Sequence, residues 1–404
     1  MSNNTSRRRF LKVGISMTAL GLATNARAQE GDQSPKDASG KVIAGFEENK
    51  TDSDASQGWQ PFSDRKIRVG IAGYGLCSFG AQFGFQDHPN VEVVAVTDLI
   101  PARRAGLAKA CRCEKTHASC EEMIKDDRIE AVFIATDAPS HARLAIAALE
   151  HGKHVASAVP AVYGSLEDAD RLFEAVKKTG LKYMMFETSY FHADLYEWHQ
   201  QFKAGQLGQL IYSEGEYYHY FGKPLGGYNP ITKQVDTNGW RKGLPPQYYP
   251  THSNAYYVGV TGESFVEVSC MGNRSNVPHL QAANNEYKNP FGSEIALFRT
   301  SEGGMSRMAV CWDMPSAHGE KGRVYGAKQA NTKFKRPPLP PGVKAGGHGG
   351  SHGLLTSEFV DAILRDRKPW IDVAQSLNMT VAGIVAHQSA MRDGELLKIP
   401  QYQL

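Results

Sequence analysis

Ile67-Arg68-Val69-Gly70-Ile71-Ala72-Gly73-Tyr74-Gly75-Leu76-Cys77-Ser78 decides the fold. Its first six residues form an apolar run of strand length, and a Gly-x-Gly turn follows at once. Glycines at such a turn let the backbone approach a pyrophosphate resting on the N-terminal dipole of the next helix. The third glycine of a G-x-G-x-x-G pattern is missing, and Ser78 stands in its place, still small enough for helix-to-strand packing. A second apolar run, residues 91–96, is closed by Asp98. A carboxylate there accepts hydrogen bonds from the adenine ribose diol and repels a 2′-phosphate, so NAD is favoured over NADP. Arg103 and Arg104 keep NADP open, since either side chain reaches far enough for a phosphate.

Strands and helices then alternate. Residues 130–135, 153–158 and 183–186 read as strands, and 140–151 and 166–179 as helices. Units of this length imply a parallel sheet, giving an α/β fold that begins with a Rossmann-type doubly wound domain over residues 65–187. Beyond it, residues 210–220, 265–271, 293–300 and 305–312 alternate in polarity, the pattern of an open, mainly antiparallel sheet with one face covered. Residues 334–350 are too rich in Pro and Gly for regular structure, and helical spacing returns at 357–364 and 376–391. Residues 188–404 therefore read as an α+β domain for substrate and oligomerisation, its last helices free to return to the first domain. An open sheet face commonly packs on a second copy, so a homo-oligomer is expected.

The chain starts with Ser6-Arg7-Arg8-Arg9-Phe10-Leu11-Lys12, an apolar stretch to Ala23, and the small-residue site Ala26-Arg27-Ala28. Residues 1–28 read as a twin-arginine signal, and 29–64, polar and without apolar periodicity, as a disordered tail. This predicts handling by the twin-arginine (Tat) export machinery and a place in the periplasm or cell envelope. An exported enzyme carries its nicotinamide already bound and must regenerate it on the protein. The apolar part of the signal is too short for stable membrane insertion. A net charge of +3 gives no reason to expect nucleic acid. Cys111, Cys113, His117 and Cys120 lie close together, but their spacing matches no common zinc pattern and no metal is expected.

Several segments together resemble the glucose–fructose oxidoreductase/inositol dehydrogenase/MocA (Gfo/Idh/MocA) family: VGIAGYGLCSFGA from Val69, VVAVTDLIPARRAGLA from Val93, and AVFIATDAPSHARLAIAALEHGKHV from Ala131. In that family a strand ends in Glu-Lys-Pro, and the lysine helps move the proton of the hydroxyl being oxidised. Here the place reads Ser157-Ala158-Val159-Pro160, and valine carries no proton. The chain is similar at four places to the branch of NAD-dependent glycosidases typified by α-N-acetylgalactosaminidases. These are Val159-Pro160-Ala161, Met184-Met185-Phe186-Glu187 running to Tyr190, Tyr249-Pro250-Thr251-His252, and Gly347-His348-Gly349-Gly350. After the last, Ser351-His352 departs from the Met-Asp of those glycosidases.

What the resemblance implies is a carbohydrate substrate and an NAD cofactor. His252, Tyr249 and Tyr190 become the catalytic candidates, with His252 read as a loop residue. His348, Trp240 and His219 are candidates for holding substrate. Gly73, Gly75, Leu76, Cys77, Asp98, Thr136, His141, Pro160 and Glu187 are candidates for holding the cofactor. The expected activity is oxidation of a pyranose hydroxyl, at C3, by tightly bound NAD. One alternative is a redox-neutral glycosidase that oxidises C3, eliminates the C1 leaving group through loss of the C2 proton, adds water and returns the hydride. The other is a non-catalytic protein that binds NAD or sugar.

Overall fold

The computed structural model describes Val42 and residues 55–229 and 232–404. The twin-arginine segment and most of the expected tail lie outside these residues. Residues 55–64, the end of that tail, are held: the Ala55 carbonyl accepts from the Leu339 N–H at 2.7 Å, and the Phe62 ring lies under the Arg365 guanidinium.

The first half is built of β1 (Ile67–Ala72), α1 (Phe79–Gln82), β2 (Val91–Thr97), α2 (Pro101–Ala110), β3 (Thr116–His117), α3 (Cys120–Met123), β4 (Ala131–Ile134), α4 (His141–Glu150), β5 (His154–Ser157), α5 (Leu166–Thr179) and β6 (Tyr183–Met185). The strands form one parallel sheet in the order β3-β2-β1-β4-β5-β6. Strands covered by helices on both faces are apolar throughout: every residue of β4 is buried, as is all of β1 except Arg68. The order reverses between β1 and β4, the switch point at which such sheets open a ligand crevice beyond their strand ends. Helix boundaries follow local chemistry. In α5, Ser165 Oγ accepts the Asp168 N–H, Glu167 and Asp168 occupy the first turn, Lys177 and Lys178 the last, and Gly180 ends the helix at φ 66°. Cys111, Cys113 and Cys120 are buried core residues, and His117 faces Asp126 at 3.6 Å.

The second half comprises α6 (Ala193–Lys203), β7 (Leu210–Tyr218), the short hairpin β8 (Gly227–Asn229) and β9 (Gln234–Asp236), α7 (Thr251–Thr261), β10 (Phe265–Arg274), β11 (Phe291–Thr300), β12 (Met305–Cys311), β13 (Gly319–Gly326), α8 (His352–Leu364), α9 (Val373–Ala390) and β14 (Leu397–Lys398). Its main sheet runs β13-β7-β12-β11-β10-β14, antiparallel except where β12 pairs parallel with β7. One face carries α7. The opposite face exposes Met271, Ile295, Leu297, Met305 and Tyr325. Helix α9 is buried along nearly its whole length and packs against β10, α5 and β6, so the C-terminal segment does return to the first sheet. Among the described residues no helix is long and apolar enough to cross a membrane.

Candidate active site

The turn after β1 is shaped by contacts that only glycine permits. Gly73 has φ 105°, donates its N–H to the Thr97 carbonyl at 2.9 Å, and leaves no room for a Cβ, which would stand 2.2 Å from the Ala135 carbonyl oxygen. Gly75 is the opposite case: a Cβ there meets nothing within 4 Å, because it opens on the cleft. Close helix-to-strand packing falls not to Ser78 but to Gly80, whose Cβ would meet the Gly73 carbonyl oxygen at 2.3 Å. The fingerprint thus spreads over two further residues, a spacing the sequence pattern missed. Helix α1 is only one turn long, so its dipole is slight and backbone N–H groups carry most of any anion binding there.

The cleft beside this turn is lined by Gly73, Gly75, Leu76, Cys77, Asp98 and Thr136, six of the nine residues expected on the cofactor side. Asp98 accepts the Tyr74 N–H at 2.7 Å and the Ile100 N–H at 2.8 Å. Each of its oxygens retains a second lone pair for a ligand. Arg103 also lines the cleft, whereas Arg104 is turned to the Asp98 and Ala118 carbonyls.

Three of the expected cofactor contacts do not reach the cleft. His141 is buried with its ring nitrogens against the Pro160 carbonyl at 2.9 Å and the Thr136 carbonyl at 3.3 Å, tying the ends of two strands together. Pro160 is buried in that tie, after a cis Val159–Pro160 bond. Glu187 is buried too, and its partner is a histidine.

That histidine, His252, lies not in a loop but in the first turn of α7, a helix buried from Thr251 to Val260. Its Nδ1 donates to Glu187 Oε1 at 2.7 Å and stands 3.9 Å from Glu320 Oε1 of β13. Ser189 braces both carboxylates, its N–H on Glu187 at 2.8 Å and its hydroxyl on Glu320 at 2.7 Å. Burial alone would lower the imidazole pKa, but Glu187 and Glu320 overturn this and raise it to about 9. Burial likewise works against the Glu187 carboxylate, yet His252 holds it below its usual value. The two partners agree: this is a buried ion pair with His252 cationic at neutral pH. Glu320 was invisible beforehand, since it lies on a strand of charged and glycine residues in a distant part of the chain.

Around the far side of His252 stand Tyr217, its ring centroid 4.5 Å away, Tyr249 at 5.7 Å and His348 at 6.1 Å. With His219, Trp240, Arg241 and others they enclose a small pocket of about 50 Å³. Leu76, Cys77, Phe79, Trp240 and Arg241 line both this pocket and the nucleotide cleft, so the two adjoin. Burial raises the Tyr249 phenol well above its ordinary value, with Arg241 offsetting only part of this. His348 Nδ1 lies 2.9 Å from His352 Nε2, and burial, then His352 and His252, push the His348 pKa far down. His219 Nδ1 is buried without a partner among the described residues. The Arg241 guanidinium stacks 4.1 Å over the Trp240 ring and makes no ion pair among the described residues.

Tyr190 is not part of this pocket. It is fully buried, its hydroxyl 3.2 Å from His199 Nε2 and its ring packed on Phe191 and Trp370. The neighbours Thr188 and Ser189 reach His252 instead.

Residues 67–187 match the family model described as "Oxidoreductase family, NAD-binding Rossmann fold". A glycosyl hydrolase family 109 protein of Bacteroides thetaiotaomicron is 33% identical over 165 residues, 38% of this chain and 34% of that protein. Another, from Phocaeicola vulgatus, is 25% identical over 323 residues, 74% of this chain and 58% of its own length. The chain thus spans about a third of the first relative and just over half of the second. Among solved structures, levoglucosan dehydrogenase in complex with NADH and levoglucosan superposes with a TM-score of 0.66 at 17% identity, covering 83% of this chain and 100% of that one. Scyllo-inositol dehydrogenase from Lactobacillus casei with bound NAD(H) and scyllo-inositol gives 0.61 at 18%, covering 83% and 99%. Likeness at this identity shows the shared fold. Residues 67–187 therefore belong to the NAD-binding Rossmann fold of the Gfo/Idh/MocA oxidoreductase family.

Proposed function

We propose that the chain is an NAD-dependent sugar enzyme whose chemistry begins with oxidation of a pyranose hydroxyl, at C3, beside His252. The observation that carries this reading is that the Gly73–Gly75 cleft shares a wall with a pocket lined by His252, the imidazole of a buried imidazole–carboxylate pair. The cleft fits a dinucleotide: its turn is free of side chains at Gly75, and Asp98 offers carboxylate oxygens where the ribose diol would lie. NAD bound there would supply a reversible hydride acceptor. His252 then exchanges the proton of the sugar hydroxyl, with Glu187 holding the ring in one orientation and Glu320 as a second counter-charge. Tyr249 lines the same pocket, where its neutral phenol can hydrogen-bond the substrate, and Trp240 and Tyr217 supply aromatic faces for the ring.

The redox-neutral glycosidase reading is favoured by one local fact. The family's lysine position is the buried Val159, so no ionisable side chain stands there. The names of the curated relatives point the same way. Incubating the purified protein in D₂O with a panel of glycosides, without added NAD, separates the outcomes by NMR. Free sugar deuterated at C2 supports oxidation, elimination and return of the hydride. A 3-keto product supports the oxidoreductase. No turnover with NAD still bound leaves the binding protein.

Export rests on Arg7-Arg8-Arg9 and the segment to Ala28, and an Arg7→Lys/Arg8→Lys chain that still leaves the cytoplasm would sink it. Self-association rests on the exposed apolar sheet face.

A further inference from the structure

On the other side of Trp240 from the His252 pocket lies a second, wider cleft of about 1040 Å³. Ligand pockets usually fall between roughly 300 and 1,000 Å³, so this one has room for several sugar rings. Its walls are the rings of Tyr163, Trp240 and Tyr287 and the amides of Asn238 and Asn284. The aromatic wall is pinned in place. The Tyr163 hydroxyl donates to the Tyr287 hydroxyl at 2.8 Å, that hydroxyl donates to the Trp240 carbonyl at 2.6 Å, and the Tyr163 ring meets Trp240 edge-on at 5.7 Å. Lys242, which also lines the cleft, is engaged by Asn238 at 2.9 Å. His279, another lining residue, is buried and keeps Nδ1 without a partner among the described residues.

Rigid ring faces beside side-chain amides suit a neutral ligand dense in hydroxyl groups. Sugar rings stack on aromatic faces through their C–H surface, and amides both donate to and accept from hydroxyls. The charges along the walls balance, Lys242 and Lys288 against Asp137 and Glu286, so the cleft carries no net positive charge to select an anion. We infer that this cleft binds the sugar units following the reacting one, so that the substrate is an oligosaccharide or glycan chain, not a free monosaccharide. The inference rests on the sugar-enzyme reading above. Trp240 walls both spaces, so a chain whose terminal ring sits at His252 continues past that indole into the wide cleft.

The test uses the full chain with the cofactor it holds. A panel of p-nitrophenyl monoglycosides identifies the sugar turned over, and di- and trisaccharides carrying that sugar at the non-reducing end follow. The expected result is a rise in kcat/KM of roughly tenfold on adding the second ring. Ala283→Trp, at an exposed position in the cleft wall, puts a bulky ring into it without touching the core or the His252 pocket. It should abolish the rise with chain length while leaving monoglycoside kcat/KM within about twofold. A kcat/KM that is flat with chain length, or a rise that survives Ala283→Trp, overturns the inference. If no monoglycoside or oligosaccharide is turned over, the enzymatic reading fails separately. Saturation-transfer NMR with the same trisaccharides then decides the cleft: binding lost in Ala283→Trp upholds it, and no binding overturns it.

Discussion

His252 enters neutral solution as a cation because two carboxylates outweigh its burial. Its folded pKa of about 9 lies above the ordinary 6.5, so the stabilisation is fully present below pH 6.5 and is lost as pH rises through 9. Glu187→Gln removes the nearer carboxylate and lets burial dominate, so the imidazole becomes neutral near neutrality. The expected outcomes are a fall in kcat of about 10²–10⁴-fold, and loss of the decline in thermal stability between pH 6.5 and 9 expected of the parent protein. A pH–stability curve unchanged by Glu187→Gln would refute the ion pair. The tyrosines separate in the same way. Tyr249→Phe should cost about 10²-fold or more in turnover, whereas Tyr190→Phe removes only the bond to His199 and should leave turnover near that of the parent. Comparing kcat for the two variants checks both. The motif led to both tyrosines alike, because spacing along the chain places a residue near a site without saying which way its side chain turns.

The elements of the first half were legible from the chain, since buried parallel strands are written as unbroken apolar runs and α5 carries a serine N-cap and a glycine C-cap. Helix α7 was not. It is buried on all sides, so it shows no apolar stripe, and the Tyr-Pro-Thr-His stretch reads as a loop. Strand β13 also escaped, because its glycines and charges resemble a loop, and with it went Glu320. The glycine turn offers a clean contrast at this scale. Gly80→Ala forces a methyl against the Gly73 carbonyl and should destabilise the protein by about 1–3 kcal/mol in denaturant unfolding. Gly75→Val points into open space and should unfold with the midpoint of the NAD-stripped parent while losing bound NAD on purification.

Across the whole molecule, the main sheet of the second half leaves one face uncovered. Met271 is 73% exposed and Leu297 59%, beside the ion pairs of Arg307 with Glu216 and of Arg323 with Glu214. Alternation in the sequence foretold that face, but a single chain cannot say what covers it. A contiguous apolar patch rimmed by charge is the usual mark of an interface between copies. Leu297→Asp combined with Met305→Asp should shift the protein toward monomer by light scattering while leaving its fold intact by circular dichroism. An unchanged mass would place the interface elsewhere. Trp240 draws the molecule together in another sense, as the shared wall of the nucleotide cleft, the His252 pocket and the wide cleft. A ligand that shifts this indole in one space alters the free energy of occupancy in the other two, and thermodynamic linkage makes the effect mutual. If the wide cleft takes a glycan as inferred above, the residence time of the dinucleotide would depend on whether that cleft is filled, a dependence that dissociation kinetics with and without a trisaccharide would record.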